Sequence, residues 1–149
     1  PYGISKKVNE ETAFDNQIGL RFTTVYGDGA RESMLIGRLI TGDVEYLTRH
    51  VRDFIHVSDV VEAIMIIMDK SLNLHKYPQS TLKPVYEVGT GTGVVVHELG
   101  ELAGLDVPIE NGYDCEAQDN TADISDLKEL GWESKIKVEE YIAGKTIPH

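Results

Sequence analysis

The sequence predicts an α/β fold with a largely parallel sheet. Runs rich in β-branched and aromatic residues alternate with segments of helical periodicity, and glycine turns separate several of them. A length of 149 residues with 41% hydrophobic content is enough for one ordinary core. The longest apolar stretch, residues 60–68, is interrupted by Glu62 and is far shorter than the roughly 20 residues that a membrane span needs.

The first half of the chain predicts alternating helices and strands. A helix over residues 3–14 leads into IGLRFTTVYG (18–27), which predicts a strand ending in a turn. Helical spacing over 33–40 precedes a second strand at RDFIHV (52–57). We expect Ser58 to cap the next helix, with Asp59 at the positive end of its dipole. The apolar face of that helix is too broad for a surface helix, so it should be buried against a sheet.

The second half continues the alternation with shorter elements. A polar stretch over 71–84 predicts a loop, and VYEVG (85–89) predicts a third strand. A helix over 97–103 should end at Gly104 in the C′ position. Two further short helices are expected in the tail. One is capped by Ser125 and stopped by Gly131, and the other covers about 138–143.

Charge and cysteine content narrow the class of protein. The formal charge of −11 argues against a nucleic-acid partner, because binding a phosphate backbone needs a basic surface. The single cysteine, Cys115, cannot form an internal disulfide, so we expect a cytoplasmic protein. No group of His, Cys, Asp and Glu has the spacing of a metal site.

All five arginines fall in one short segment: Arg21, Arg31, Arg38, Arg49 and Arg52. Arg binds phosphate well, although an ordinary surface role is the alternative for each of them.

The glycine-rich stretch VYEVGTGTGVVVHELGEL (85–102) has the strand, turn and helix order of a dinucleotide-binding fingerprint. Its spacing does not fit. Counting from Gly89 or from Gly91, the third glycine should stand at position 94 or 96, and both are valines. We therefore interpret it as an ordinary strand-to-helix turn.

Tyr2 and Lys6 are four residues apart and lie on one face of the first predicted helix. Lowering the pKa of a tyrosine from about 10 to near 7 requires about 4 kcal/mol. A Lys ammonium roughly 6 Å away supplies about 3 kcal/mol at an effective dielectric near 20. The pair can therefore make a base of the phenol, although an isolated YxxxK match is more often a solvated helix pair.

The match is not isolated, because five sequence blocks occur in a recognisable order. They are YGISK (2–6), LRFTTVYG (20–27), RDFIHVSDV (52–60), YEVGTG (86–91), and ADIS (122–125) with LGW (130–132). Together they resemble the second half of the extended short-chain dehydrogenases/reductases, the NAD-dependent epimerase/dehydratase family that acts on nucleotide sugars. The resemblance covers essentially the whole chain.

The resemblance implies the carboxyl-terminal part of a Rossmann-like parallel sheet plus a smaller mixed α/β substrate-binding lobe. Residues 1–30 would be the Rossmann remnant and 31–149 mainly the lobe, with 52–70 and 85–91 returning to the sheet. The amino-terminal dinucleotide-binding half would be absent, so we expect this fragment to bind no cofactor and to be inactive. We also expect its open strand edge over 18–25 to make it a homodimer.

The resemblance also implies roles for individual residues in the full-length enzyme. Tyr2 would be the catalytic base, and Lys6 would hold the nicotinamide ribose of NAD or NADP. Arg52 would contact the diphosphate of a nucleotide-sugar substrate, and Thr24 and Glu116 would bind the substrate. Where the family has Arg-Pro-Gly-Asp, the chain reads YDCE (113–116), so a second phosphate-binding arginine is missing. The alternative function is a non-catalytic binding or assembly module that keeps the scaffold.

Overall fold

The computed structural model describes residues 2–73, 75–76, 82–112 and 116–146. Its helices are α1 (Tyr2–Glu11), α2 (Leu35–Thr41), α3 (Val57–Leu72), α4 (Val96–Leu102), α5 (Ser125–Glu129) and α6 (Val138–Lys145). Its strands are β1 (Gly19–Phe22), β2 (Thr24–Tyr26), β3 (Leu47–Thr48), β4 (Val51–Arg52), β5 (Phe54–His56), β6 (Val85–Val88), β7 (Val94–Val95) and β8 (Ile109–Glu110). The α/β class predicted from the sequence is confirmed. No helix among these residues is both long and apolar enough to cross a membrane.

β1 and β2 are two halves of one extended run that changes partners at Thr23. β1 pairs in parallel with β6, and β2 pairs in parallel with β5. The N–H of Thr23 donates to Val88 on the β6 side, whereas the N–H of Thr24 donates to the Asp53 carbonyl on the β5 side. Because successive backbone groups of a strand face opposite edges, β5 and β6 lie on opposite edges of this run. The single predicted strand is therefore two strands.

The predicted strand RDFIHV is divided as well. Arg52 ends β4, which pairs antiparallel with β7, and Phe54 begins β5. Between them, Asp53 donates its N–H to the side-chain oxygen of Asn120 at 2.8 Å. The ladder breaks here because a buried polar residue takes its partners from outside the sheet. A further short parallel pair joins β3 to β8.

α3 begins at Val57 and is not capped by Ser58 as predicted. The N-cap is His56, whose Nδ1 accepts a hydrogen bond from the N–H of Ser58 at 3.2 Å. Asp59 lies in the first turn, but it is buried, and its Oδ2 accepts the N–H groups of Lys135 and Ile136, each at 3.0 Å. This carboxylate therefore fastens the segment before α6 to the start of α3.

Only one face of α3 is buried, which corrects the expectation that its whole apolar surface packs against a sheet. Val60, Ala63 and Ile67 lie in the core. The opposite face exposes large apolar side chains three or four residues apart: Val57, Val61, Met65, Met68 and Leu72. That spacing makes one continuous stripe along the helix.

The other helices follow their predictions with shifted ends. α1 ends at Glu11, three residues early. α4 begins one residue early, and Gly104 after it has a φ of +75°, as the C′ prediction requires. α5 lies where it was expected, but its N-cap residue is Ile124 rather than Ser125. α6 continues through Gly144 to Lys145. Residues 74 and 77–81 of the predicted loop lie outside the described residues.

The buried side chains form two clusters. The first surrounds β6 and the inner face of α3 and includes Tyr86, Leu127 and Trp132. The second lies among α2, α4 and α6 and includes Leu39 and Ile142. Burying one such large apolar side chain contributes about 1.5–3 kcal/mol. The division of the chain into a Rossmann remnant and a substrate lobe stays a prediction.

Candidate substrate and cofactor site

The glycine turn after β6 wraps around the buried carboxylate of Asp53. One carboxylate oxygen, Oδ1, accepts the N–H and the hydroxyl of Thr90 at 2.8 and 2.7 Å. The other, Oδ2, accepts the N–H groups of Gly91 and Ala122 at 3.0 and 3.2 Å. The turn amides that would face a cofactor phosphate in a dinucleotide fingerprint are thus engaged by this chain's own side chain.

Gly89 is required here for close packing. A Cβ at this position would approach Asp53 Oδ2 to 2.6 Å and both Ala122 and Thr23 to 2.7 Å, which is closer than real contacts allow. Gly91 adopts a φ of +72°, in the left-handed region that favours glycine. The interpretation of this stretch as a structural turn agrees with these contacts.

The side chain of Arg52, the residue before Asp53, is also held by hydrogen bonds. Its Nη1 donates to the carbonyls of Val51 and Ala117 at 2.9 and 2.7 Å. Its side chain is 18% exposed, and its Nη2 lies 3.7 Å from Glu116 Oε2. The structure therefore brings together two of the residues expected to bind substrate, Arg52 and Glu116.

His50 joins this pair, although nothing in the sequence interpretation singled it out. It is buried, and its Nδ1 lies 3.3 Å from Glu116 Oε2 and 3.2 Å from Thr48 Oγ1. Gly112 lies directly on the imidazole ring, where a Cβ would collide with it. Position 50 lies two residues before Arg52, just ahead of β4, so in an extended chain the two side chains are expected on the same side. That alternation was the one signal that could have suggested His50.

Thr24 lines a separate pocket of about 470 Å³ beside α2. Arg31, Met34, Ile40 and Tyr141 also line it. Arg31 belongs to the arginine-rich segment noted in the sequence, whereas Tyr141 comes from α6 and was not expected at the site. The pocket combines apolar walls with the guanidinium of Arg31, the carboxylates of Glu32 and Asp43 and several hydroxyl groups, a composition suited to a polar organic ligand.

Asp28 ties the loop after β2 to α6 at the rim of this pocket. Its Oδ1 accepts the hydroxyl of Tyr141 at 2.8 Å and the ammonium of Lys145 at 3.0 Å. The hydrogen bond from Lys145, followed by the one from Tyr141, lowers the pKa of Asp28. Burial, helped by the Asp28 contact, raises the pKa of Tyr141. Tyr141 therefore stays protonated and keeps donating to the carboxylate.

α1 forms one wall of an open groove beside β1, which we call the β1 groove, and Lys6 is among the residues of that wall. The side chain of Tyr2 lies outside the described part of the structure. The β1 groove has a volume of about 1350 Å³, and its lining includes Lys6, Glu10, Phe14, Asp15, Leu20, Arg21, Phe22, Leu72 and Lys83. Arg21 donates Nε and Nη2 to the two carboxylate oxygens of Glu10, each at 2.7 Å, and so lowers the pKa of Glu10. This bidentate ion pair fixes α1 against β1.

The expected site residues thus lie in three places: Lys6 in the β1 groove, Thr24 in the pocket beside α2, and Arg52 with Glu116 at the end of β4. Within the described residues, no group of three or more His, Cys, Asp or Glu side chains could hold a metal ion.

Comparison with known proteins identifies the family. The model of the NAD dependent epimerase/dehydratase family matches residues 1–89, more than half of the chain, so the chain belongs to this family. The matched range contains Tyr2, Lys6, Thr24 and Arg52, whereas Glu116 lies beyond it.

Individual relatives agree with this assignment. The chain is 36% identical to UDP-glucose 4-epimerase of Bacillus subtilis over 101 residues, which cover 62% of this chain and 28% of the relative. It is 31% identical to Protein CapI of Staphylococcus aureus over 146 residues, which cover 83% of this chain and 42% of the relative. The solved structure of MoeE5 in complex with UDP-glucose and NAD matches with a TM-score of 0.71 at 30% identity, covering 98% of this chain and 54% of that one. The chain therefore spans about half the length, or less, of these proteins.

Proposed function

We propose that this chain supplies the substrate-binding lobe and the Tyr–Lys pair of an NAD(P)-dependent nucleotide-sugar epimerase or dehydratase. The observation that carries the proposal is the family match over residues 1–89, which includes both Tyr2 and Lys6. Family membership makes an isolated, solvated YxxxK pair the weaker interpretation.

Tyr2 and Lys6 would share the catalytic work. Tyr2 takes the proton from a sugar hydroxyl, while the Lys6 ammonium one turn along α1 stabilises the phenolate and holds the nicotinamide ribose. The bound cofactor would supply hydride transfer. Arg52 would bind the diphosphate of the substrate. Its Nη1 is fixed by two carbonyls, whereas its Nη2 makes, among the described residues, only a 3.7 Å ion-pair contact with Glu116 and can donate to a ligand. Thr24 would contact the substrate from its pocket.

Binding of UDP measured by calorimetry tests the substrate assignment on this chain. Arg52→Lys should weaken UDP binding by about 5- to 150-fold, because lysine cannot reproduce the guanidinium fork, a difference of about 1–3 kcal/mol. The matched control is Arg49→Lys, an exposed arginine on the same segment, which should bind like the wild type. Equal affinities for both variants, or no UDP binding by the wild type at millimolar concentration, would contradict the assignment.

We further propose that this chain does not turn over by itself. The amides of Thr90 and Gly91 in the glycine-rich turn after β6 already bind Asp53, so they cannot cradle a pyrophosphate. Incubation with NAD and a panel of UDP- and dTDP-sugars should give no epimer and no NADH, with UDP-glucose 4-epimerase of Bacillus subtilis as the positive control. Stoichiometric NAD binding at micromolar affinity is the result that would overturn this proposal. It would also count against the alternative of a non-catalytic module.

We propose that two copies associate through the free edge of β1. The N–H groups of Leu20 and Phe22 face the edge opposite β6, where no strand of the described part pairs with them. Phe22 is 49% exposed, so an aromatic ring stands open to solvent beside that edge. The β1 groove carries both signs of charge, because its lining includes Arg21 and Lys83 as well as Glu10 and Asp15, although the chain carries −11. A two-fold antiparallel contact would therefore place complementary groups together.

A further inference from the structure

Glu116 lies against the guanidinium of Arg52, and we propose that it acts as a built-in competitor for the anionic part of the substrate at this site. The inference rests on the proposed assignment of Arg52 to a diphosphate. It replaces the expectation that Glu116 itself binds the substrate: binding requires the Glu116 carboxylate to give way, so that Glu116 sets how tightly anionic ligands are held.

The donors of Arg52 show where a ligand can bind. Nη1 is occupied by the carbonyls of Val51 and Ala117 at 2.9 and 2.7 Å, so the side chain is fixed in place. Nη2 lies 3.7 Å from Glu116 Oε2, which is an ion-pair distance but too long for a hydrogen bond. The face of the guanidinium that could fork onto a phosphate is thus the face that Glu116 covers.

Glu116 is held in this position from its other side. His50 Nδ1 lies 3.3 Å from the same carboxylate oxygen. The imidazole is itself fixed, because it is buried, contacts Thr48 and packs under Gly112. The carboxylate therefore bridges a rigid imidazole and a rigid guanidinium.

The two partners differ in exposure, which decides what an incoming anion meets. The side chain of Glu116 is 45% exposed, whereas that of Arg52 is 18% exposed. An anion that approaches Arg52 from solvent therefore meets a carboxylate of its own sign. Like charges about 5 Å apart in a partly exposed site change affinity by roughly tenfold. The long contact to Nη2 lets Glu116 move aside without breaking a strong hydrogen bond.

The test compares UDP with uridine as calorimetric ligands for the wild type and for Glu116→Gln. Glutamine keeps the shape of the side chain and removes its charge, so UDP should bind about tenfold more tightly while uridine, which has no phosphate, should bind unchanged. The gain should shrink in 1 M NaCl, where exposed charges are screened. The matched control is Glu133→Gln, which removes one exposed charge elsewhere and should leave both ligands unchanged. Thermal unfolding of each variant checks that the fold is kept, and Glu116→Ala provides a second removal of the charge.

Several results would overturn the inference. One is that Glu116→Gln binds UDP no more tightly than the wild type does. Another is that its affinity for uridine rises as much as its affinity for UDP. A third is that neither Glu116→Gln nor Glu116→Ala binds UDP. If Arg52→Lys weakens UDP binding while Glu116→Gln leaves it unchanged, the proposed function stands and this inference fails. If neither variant changes UDP affinity, both fail.

Discussion

Replacing Asp53 with Asn should destabilise the chain far more than the loss of one surface charge. Asp53 is fully buried, and each of its carboxylate oxygens accepts two hydrogen bonds, from Thr90 on Oδ1 and from Gly91 and Ala122 on Oδ2. An asparagine side chain has one oxygen and one NH₂ group, so one pair of donors must then face another donor.

The asparagine amide will adopt the less damaging of its two orientations, and that orientation determines how much the free energy of unfolding falls. If the NH₂ group points toward Thr90, the Thr90 hydroxyl can rotate to accept from it, but the Thr90 N–H loses its acceptor. One buried donor left unsatisfied costs about 1–3 kcal/mol. The remaining bonds lose the strength that a charged acceptor gives, which adds about 1 kcal/mol. We therefore expect Asp53→Asn to lower the free energy of unfolding by about 2–4 kcal/mol, a large share of the 5–15 kcal/mol of a typical domain.

Urea unfolding followed by circular dichroism measures this difference. With a slope of about 2 kcal/mol per molar urea, the midpoint should fall by about 1–2 M. Asp106→Asn, at an exposed position, removes the same charge and should stay within about 0.5 kcal/mol of the wild type. A midpoint for Asp53→Asn that coincides with that of Asp106→Asn would show that the carboxylate does not organise the glycine turn.

Three further predictions concern stability and assembly. Asp59→Asn should cost less than about 1 kcal/mol in the same urea assay, because both backbone donors bind one oxygen, Oδ2, which asparagine retains; a loss as large as that of Asp53→Asn would contradict this donor count. The pKa values of Asp28 and Asp119 are lowered by hydrogen bonds from Lys145 and Thr121, so their stabilisation is complete above the ordinary value of 3.8 and is lost as the pH falls through their folded values. The urea midpoint should therefore be lower at pH 3 than at pH 6, and an equal or higher midpoint at pH 3 would refute the sign. Phe22→Lys should shift light-scattering mass from dimer toward monomer, whereas a wild-type monomer at high micromolar concentration would rule out the proposed β1 contact.

Local signals account for most of the elements. The β-branched runs and the glycine at C′ of α4 depend on residues within a few positions of each other, and they placed the third strand and α4 to within one residue. The resemblance of the block RDFIHVSDV (52–60) to the family also singled out Arg52. These features could be predicted because their causes lie close together in the chain.

Most of the wrong or missed predictions depend on contacts between residues that lie far apart in the chain. The division of the first predicted strand at Thr23 depends on β5 and β6 lying on opposite edges, which pairing alone determines. The cap of α3 is the exception, since His56 and Ser58 are only two residues apart: an imidazole nitrogen can accept a backbone N–H as a serine oxygen does. His50 became part of the site through Glu116, which lies far along the chain. The residues around Thr23 carry no such information, and for His50 the local signal is limited to its two-residue spacing from Arg52.

Arg52 and Asp53 show how one dipeptide can serve both the fold and the site. Consecutive residues of an extended chain point in opposite directions, so the carboxylate enters the core where the guanidinium leaves it. The carboxylate fixes the glycine turn and the segment around Ala122, and the neighbouring carbonyl of Ala117 fixes the guanidinium. The two roles are separable by measurement. A change at Asp53 should appear mainly as lost stability, whereas Arg52→Lys should appear mainly as lost affinity for UDP with little change in the urea midpoint. If Arg52→Lys instead lowers the midpoint as much as Asp53→Asn, the guanidinium serves the fold, and the proposed diphosphate site loses its anchor.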